Sequence, residues 1–515
     1  MTFSEPTLLL LAVFVPALAA LIVFLLPDDE KTLAKRLAFI LSLIPLGVVV
    51  AMWAIFSEKY RLADGYQFET IAEWFPLIGA GFHMGVDGIS LPMMLLTVIL
   101  TPLGILASFN IEDKTKMFMA LFLLLESAML GYFAALDLVI FFIFWEFSLV
   151  PMYFLIKIWG GADREYASFK FFVYTMAGSL GLLLSIQVMG LSMGTFDLVQ
   201  LMDKWVHLAG DVLPNSGVSV PFIKTFAFWS FIIAFAIKVP IWPFHTWLPD
   251  AHTQAPTAGS MILAGVLLKL GAYGFIRLVI PLFPEQATQA AWVLAVLGML
   301  SIVLGGFAAF GQWDFKRLVA YSSINHMGFV VLGIAVMAFA YGNQANGFDG
   351  DAVMATNGAV LQMFNHGLSA AAMFFMVGVF YDRLHTRDLR RFGGFWTIAP
   401  VTGGILIFNS MASLGLPGLN GFVGEFLITR GAWGPFSFFV VISMIGLLMT
   451  GAYILKGIGA TLHGPIKDKE LAHHLTPMTT IEHLVIWPLM LLMLSLGLWP
   501  QWLLAIINDT VSRLF

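Results

Sequence analysis

The chain has 515 residues, 59% of them hydrophobic and only 11% charged, with a mean hydropathy of +0.89. Soluble domains carry about 25% charged residues, so a water-soluble enzyme is excluded, and a net charge of −5 spread along loops offers nothing to nucleic acid. Cysteine is absent, which excludes disulfides, thiolate-bound zinc and cysteine-ligated iron–sulfur clusters.

Apolar runs of 18 or more residues, enough to cross about 30 Å of hydrocarbon, recur from end to end and predict an all-α integral membrane protein. About fourteen spans are expected, at 7–26, 34–56, 88–109, 117–135, 137–158, 170–192, 222–247, 257–281, 289–311, 319–341, 355–381, 398–429, 436–462 and 484–511. The first run lacks a basic flank and a small-residue cleavage site, so it reads as a span and not a removable signal. Alternate loops collect most of the basic residues, among them Lys31, Lys35, Lys114, Lys116, Arg164, Lys316, Arg383, Arg387 and Arg391. The opposite loops hold fewer: Lys59, Arg61, Lys204, Lys224, Arg277, Arg430 and Arg513. The positive-inside bias places the richer side in the cytoplasm and both termini outside.

Setting the loops aside leaves Lys157, Lys238, Lys269 and Lys456 within spans, and Glu126, Asp137, Glu146 and Glu425 within or bordering them. His326 and His366 fall at membrane depth, with His245 and His252 near the inner edge. A charge at the bilayer centre costs about 2.5–3.5 kcal/mol on insertion scales. At about 1.5 Å per helical residue, Glu146 lies roughly 13 Å deeper than Asp137, near the midplane; Lys269 and His366 reach a similar level. One buried Glu–Lys pair could simply lock two helices, and a lone buried histidine is more often a hydrogen-bonded core residue than a ligand. At least five titratable groups of both signs at one depth are harder to explain so, because buried ion pairs seldom add net stability.

Backbone chemistry adds a second signal. The seventh span reads FAIKVPIWPFHTWLPDAH, with Pro240, Pro243 and Pro249 just beyond Lys238. Each proline removes a donor and clashes with the preceding turn, and broken backbone at membrane depth survives only against protein or a water-filled cavity. The twelfth span repeats the device in SLGLPGLNGFVGEF, where Gly415, Pro417, Gly418 and Gly421 precede Glu425. Two interrupted spans, each with a charge near the break, point to inverted repeats around midplane ion sites. Their spacing predicts N-terminal spans in 1–115, repeats of five spans in 116–283 and 284–465, and a last span in 466–515.

The run KVPIWPFHTWLPDAHTQAPTAGSMILAGVLLKLGAYG, Lys238 to Gly274, resembles the signature of the proton-pumping subunits of respiratory complex I and of the related Mrp cation/proton antiporters. GVDGISLPM, ALDLVIFFIFWEFSLVPMYFLIKIWGG, KRLVAYSSINHMGFV, NHGLSAAAMFF and GLNGFVGEF look most like the subunit M family of bacterial NADH:quinone oxidoreductase. In that family the broken twelfth helix carries a glutamate, as Glu425 does here, whereas sister subunits and antiporters generally place a lysine there. Lys157, the loop 341–357 and the surroundings of Lys456 depart from the family pattern.

The resemblance implies that Glu146 and Lys238 form a coupling ion pair, that Lys269 is a central relay, and that Glu425 opens towards the outer side. His326 and His366 would join them through water, and Glu126, Asp137, His245, His252 and Lys456 are secondary candidates. It also implies that this chain binds no cofactor, and that FMN, iron–sulfur clusters and quinone belong to partner subunits, two of them sister antiporter-like chains. Alternatives at this stage are an Mrp-type antiporter subunit, the counterpart in a photosynthetic ferredoxin-linked complex, a haem-bearing quinol oxidoreductase subunit with His326 and His366 as axial ligands, and a plain scaffold.

Overall fold

The computed structural model describes residues 5–56, 65–208, 210–213, 217–341 and 347–515. Lys59, Arg61 and part of the loop 341–357 lie outside the described residues. In chain order the helices are α1 (Glu5–Phe24), α2 (Lys31–Ile55), α3 (Ser90–Leu106), α4 (Thr115–Ala134), α5 (Leu138–Trp159) and α6 (Arg164–Met193). Then follow α7 (Val220–Lys238), α8 (Trp247–Gln254), α9 (Thr257–Leu282), α10 (Pro284–Gly311), α11 (Phe315–Ala340) and α12 (Asp349–Leu384). The last are α13 (Pro400–Leu414), α14 (Asn420–Leu462), α15 (Thr480–Leu498) and α16 (Gln501–Val511). Twelve of the described helices are long and apolar enough to cross a membrane, while α3 and α13 are shorter apolar helices.

Apolar residues run all round these helices, so partners and not amphipathic stripes decide which are central. Helices α9, α11 and α12 are almost wholly buried and α4 nearly so, whereas α2 and α15 keep most of their surface outward. The loops form two layers. On one face, Gly161 N donates to Gln254 O (2.9 Å), Phe315 N to Arg387 O (2.9 Å) and Gly394 N to His463 O (3.1 Å), and Arg383 grips Glu482 at 2.7 Å. Most of the basic loops meet there. On the other face, Leu136 N donates to His83 O (2.9 Å) and Phe196 N to Gly79 O (3.1 Å), and the Tyr341 and Phe515 rings lie 6.2 Å apart.

The helical class and the two interrupted spans expected from the sequence hold, and the structure refines them. Beside the helices, β1 (Gln67–Phe75) and β2 (Ala80–Val86) form an antiparallel hairpin on the second face. The expected seventh span, 222–247, stops as a helix at Lys238, since Pro240 and Pro243 cannot donate to its ladder. The expected twelfth span ends at Leu414 and resumes at Asn420; Gly415 and Gly418 take φ of +84° and +96°, which only glycine adopts freely. Helix α14 then turns sharply at Pro435–Phe436, where Phe436 packs on Trp292 at 5.1 Å, and the final span divides between α15 and α16. Finally, Arg277 is no loop residue. It is buried in α9 with its Nη2 2.6 Å from Asp87 Oδ2, and Asp87 Oδ1 in turn accepts the amides of Ile89 and Ser90 at the start of α3. A partner from a distant element keeps that cation inside.

Candidate functional site

Lys269 sits in α9 between two π-helical turns, Leu263–Leu267 and Phe275–Val279. Such widened turns recur at functional sites, and here the ammonium reaches back to the Ala264 carbonyl within the first of them. Lys269 is fully buried, and its Nζ lies 2.7 Å from His366 Nδ1 on α12. Either an ammonium donates to a neutral imidazole or an imidazole donates to a neutral amine, and both fit this distance. One proton can therefore rest on either partner.

The chain of groups continues from there. The His366 ring lies 5.8 Å from the His326 ring on α11, and His326 Nδ1 lies 2.7 Å from Glu425 Oε1 on α14. Gln362, one turn before His366, donates its amide to the same carboxylate oxygen at 3.1 Å. The Tyr453 hydroxyl meets His326 Nε2 at 3.2 Å, so with Glu425 ionised the ring donates from Nδ1 and accepts at Nε2. Asn325 ties α10, α11 and α14 together beside it, donating to Ile302 O at 2.6 Å and accepting from Thr450 at 3.0 Å. The break before α14 is locked to α12: Asn365 Nδ2 donates to Asn420 O at 2.6 Å, and Asn420 Nδ2 returns a bond to Asn365 O at 2.9 Å. A Cβ on Gly415 would meet Glu425 Oε2 at 3.4 Å, so the carboxylate folds back against the broken backbone.

The first half is built differently. Lys238 ends α7 and is 2% exposed; its Nζ lies 3.5 Å from Ser148 Oγ and 4.9 Å from the centre of the Trp145 ring. Trp145 Nε1 is held by Ser179 Oγ at 2.9 Å. Glu146 is half-buried, and its Oε1 has no hydrogen-bond partner. Among the described residues no ion pair within 4 Å joins Glu146 to Lys238, although each lies in the other's electrostatic reach. The expected pair thus shares a pocket without touching. Gly271 brings this pocket close to Lys269: a Cβ there would stand 2.8 Å from Phe235 O and 2.9 Å from Val239 N, so α9 lies directly on the end of α7.

With this geometry in hand, the chain was compared with known proteins. Residues 135–450 match the family described as NADH:quinone oxidoreductase/Mrp antiporter, TM, and residues 10–132 match NADH-ubiquinone oxidoreductase chain 4, amino terminus. NADH-quinone oxidoreductase subunit M of Rhodobacter capsulatus is 37% identical over 98% of this chain and 96% of its own. The chain belongs to the subunit M/chain 4 family. NAD(P)H-quinone oxidoreductase chain 4 1 of Synechococcus elongatus is 38% identical over 98% of this chain and 90% of its own. A chain of respiratory complex I from Thermus thermophilus superposes with a TM-score of 0.81 at 26% identity, covering 98% of this chain and 99% of that one. The Mrp complex from Dietzia gives the same TM-score at 19% identity, covering 99% and 97%, a likeness of fold alone.

In this subunit M-family chain the remaining candidates make no hydrogen bond to the central series, although His252 lies within electrostatic reach of Lys269 and His366. Asp137 caps α5, accepting from Val139 N at 2.8 Å and Ile140 N at 3.2 Å, and also holds Gly81 N of the hairpin at 3.1 Å. Lys456 of α14 caps the end of α10, donating to Phe310 O at 2.6 Å and Gln312 O at 2.8 Å beside the Trp313 ring. Lys157 is exposed and donates to the Tyr153 hydroxyl at 2.9 Å. His245 is half-buried, 6.2 Å from the Tyr321 ring. Glu126 is fully buried, and neither carboxylate oxygen has a hydrogen-bond partner. His252 is equally buried, stacked on Phe374 at 4.3 Å with both ring nitrogens unbonded. Sequence reasoning missed Gln362, Tyr453, Ser148 and Ser179. Gln362, one turn from His366, and Ser148, two residues from Glu146, could have been found; Tyr453 and Ser179 reach the site from remote helices. Among the described residues no group of three or more metal-ligating side chains occurs.

Proposed function

We propose that this chain is an antiporter-like membrane-arm subunit of a respiratory NADH:quinone oxidoreductase that moves protons across the membrane. The observation that carries the reading is the buried series Lys269–His366–His326–Glu425, with contacts of 2.7 Å at both ends and 5.8 Å between the rings in the middle. A proton leaving the Lys269 ammonium protonates His366 at Nδ1. His326 accepts the next proton at Nε2 and, as an imidazolium, gives its Nδ1 proton to Glu425, which releases a proton towards the hairpin face. Movement of Lys238 relative to Glu146 changes the field on Lys269 and times the release. No redox step occurs in this chain. FMN, iron–sulfur clusters and quinone belong to partner subunits, with two sister antiporter-like subunits beside this one.

The repeats at 116–283 and 284–465 each supply one broken helix, and α3 and α13 complete fourteen crossings of a bacterial cytoplasmic membrane with the basic face inward and both termini outside. Glu146→Gln in the intact complex tests the reading: NADH oxidation and acidification are measured together in proteoliposomes. Assembly is expected to persist while coupled pumping is lost, and an assembled variant that pumps like wild type would overturn it.

A further inference from the structure

Two further polar residues follow Lys269 outward along α9: Tyr273 four residues on, and Arg277 four more. Residues four apart are neighbours on a helix surface, so a straight route from the central lysine to the hairpin face passes both. Neither is free to carry a proton. The Tyr273 hydroxyl donates to Phe133 O at 3.0 Å, and its ring packs on Phe133 and Tyr132 with centroids 5.2 and 5.8 Å apart. The Tyr132 hydroxyl in turn donates to Leu270 O at 2.5 Å, one residue past Lys269. Phe235 closes a further flank: a Cβ on Gly274 would stand 2.6 Å from its ring. All four rings are buried. One turn further out the Arg277 guanidinium, a group that keeps its proton in proteins, lies 2.6 Å from Asp87 Oδ2 and 4.6 Å from the centre of the Tyr66 ring. The carboxylate at the end of this route therefore already holds a fixed cation. Sideways the situation is the reverse, since Lys269 meets His366 at 2.7 Å and His366 Nε2 has no partner. A buried ion pair seldom adds stability over apolar side chains of similar size, so the charges outside the rings call for another role.

We propose that Tyr273 and Arg277 form an outer seal that bars direct escape of protons from Lys269 to the hairpin face and leaves His366 as the way onward. The inference rests on the proposed translocation function and adds what prevents slippage in it. Tyr273 acts by its bulk: with Tyr132, Phe133 and Phe235 its ring closes the space just beyond the lysine, and its hydroxyl proton is committed to a carbonyl. Arg277 acts by its charge. A fixed cation in a confined route repels a hydronium, the device by which some pores exclude protons. It also occupies Asp87, the carboxylate that would otherwise take a proton from water and hand it outside. Neither residue gains or loses a proton; together they decide the direction in which Lys269 passes one. Such a seal matters most when the outside is already acidic, because protons then tend to return by the shortest route.

The test uses the intact complex in proteoliposomes without NADH. An imposed pH gradient is followed with an entrapped pH-sensitive dye, with potassium and valinomycin present so that membrane potential does not limit the flow. Tyr273→Ser removes the ring and leaves a hydroxyl for water, Arg277→Gln removes the cation and frees Asp87, and Tyr273→Phe keeps the ring. The Ser and Gln variants should let the gradient decay at least about tenfold faster than wild type, the change that a barrier lower by about 1.4 kcal/mol gives. Tyr273→Phe should stay tight. Should Arg277→Gln fail to assemble with Asp87 left unpaired, Tyr273→Ser carries the test. Adding Lys269→Met to Tyr273→Ser should remove the extra leak, because that leak runs through the lysine amine; loosened packing alone would leave it in place. Tight vesicles from the assembled Ser and Gln variants, or a leak that survives Lys269→Met, would overturn the seal and leave the translocation reading standing. Normal NADH-driven acidification by the single Lys269→Met complex would overturn both.

Discussion

The two broken helices use one device and stand in two conditions. After α7, prolines interrupt the backbone, and Lys238 faces a serine hydroxyl and an indole ring while Glu146 makes no ion pair with it within 4 Å. Before α14, glycines interrupt it, and Glu425 is bonded to His326 and Gln362 while paired asparagines pin the break to α12. In one half the two charges make no direct contact; in the other the carboxylate is bonded into a network, although Gln362 Oε1, Asn365 Oδ1 and Asn420 Oδ1 keep no partner. In the proposed function the pair that does not touch is the trigger and the bonded series is the path.

The largest expected effect breaks the fixed half at its origin. A positioned proton-transfer group contributes about 10²–10⁴-fold to a transfer rate. Lys269→Met should therefore reduce NADH-driven acidification below detection in proteoliposomes, and a variant retaining half of wild-type pumping would contradict the series.

Next comes Glu425→Gln set against Glu146→Gln in thermal melts of the purified complex. Hydrogen bonds to a charged group contribute about 1.5–3 kcal/mol, so the first should lower the melting temperature and the second should barely move it. Equal shifts would erase the distinction between the halves. Asn420→Ala sharpens it further, since it removes the Asn420 Nδ2 bond to the Asn365 carbonyl; a typical hydrogen bond contributes about 0.5–1.5 kcal/mol, read as a lower melting temperature with pumping impaired. Indifference there would mean the break is held by other contacts.

The smallest effect lies on the hairpin. Burial of the His83 ring opposes its charge, but Asp197 at 2.6 Å and Glu69 at 3.1 Å outweigh it and raise the pKa above 6.5. Protonated His83 therefore stabilises the hairpin; that contribution is complete below about pH 6.5 and fades as pH climbs through the raised value. Hydrogen exchange across 67–86 should quicken from pH 6 to 9 beyond the intrinsic rate, and His83→Gln should flatten that trend. An unchanged profile in the variant would remove His83 from the account.

Much of this was legible in the chain itself. Hydrocarbon thickness sets span length, so the apolar runs announced a polytopic helical protein, and the Pro and Gly clusters after Lys238 and before Glu425 marked both breaks. Charges at lipid depth are too costly to be incidental, which exposed Glu146, Lys269, His366 and Glu425 without any coordinates. Their partnerships were not legible. Lys269 meets His366 across 97 residues and His326 meets Glu425 across 99, while Tyr453 reaches His326 from 127 residues away. Helical periodicity specifies which residues share a face of one helix, but which helices face each other is decided only when the bundle packs. The same limit explains why Arg277 and Lys316 read as surface cations: a basic residue near a helix end looks exposed until the fold brings Asp87 against one and closes a cleft over the other. Composition and breaker chemistry thus determined the class, the spans and the depth of the charges. Tertiary packing alone decided which charges touch, which remain apart, and where water can approach them, because those depend on distances between segments that the order of residues does not encode locally.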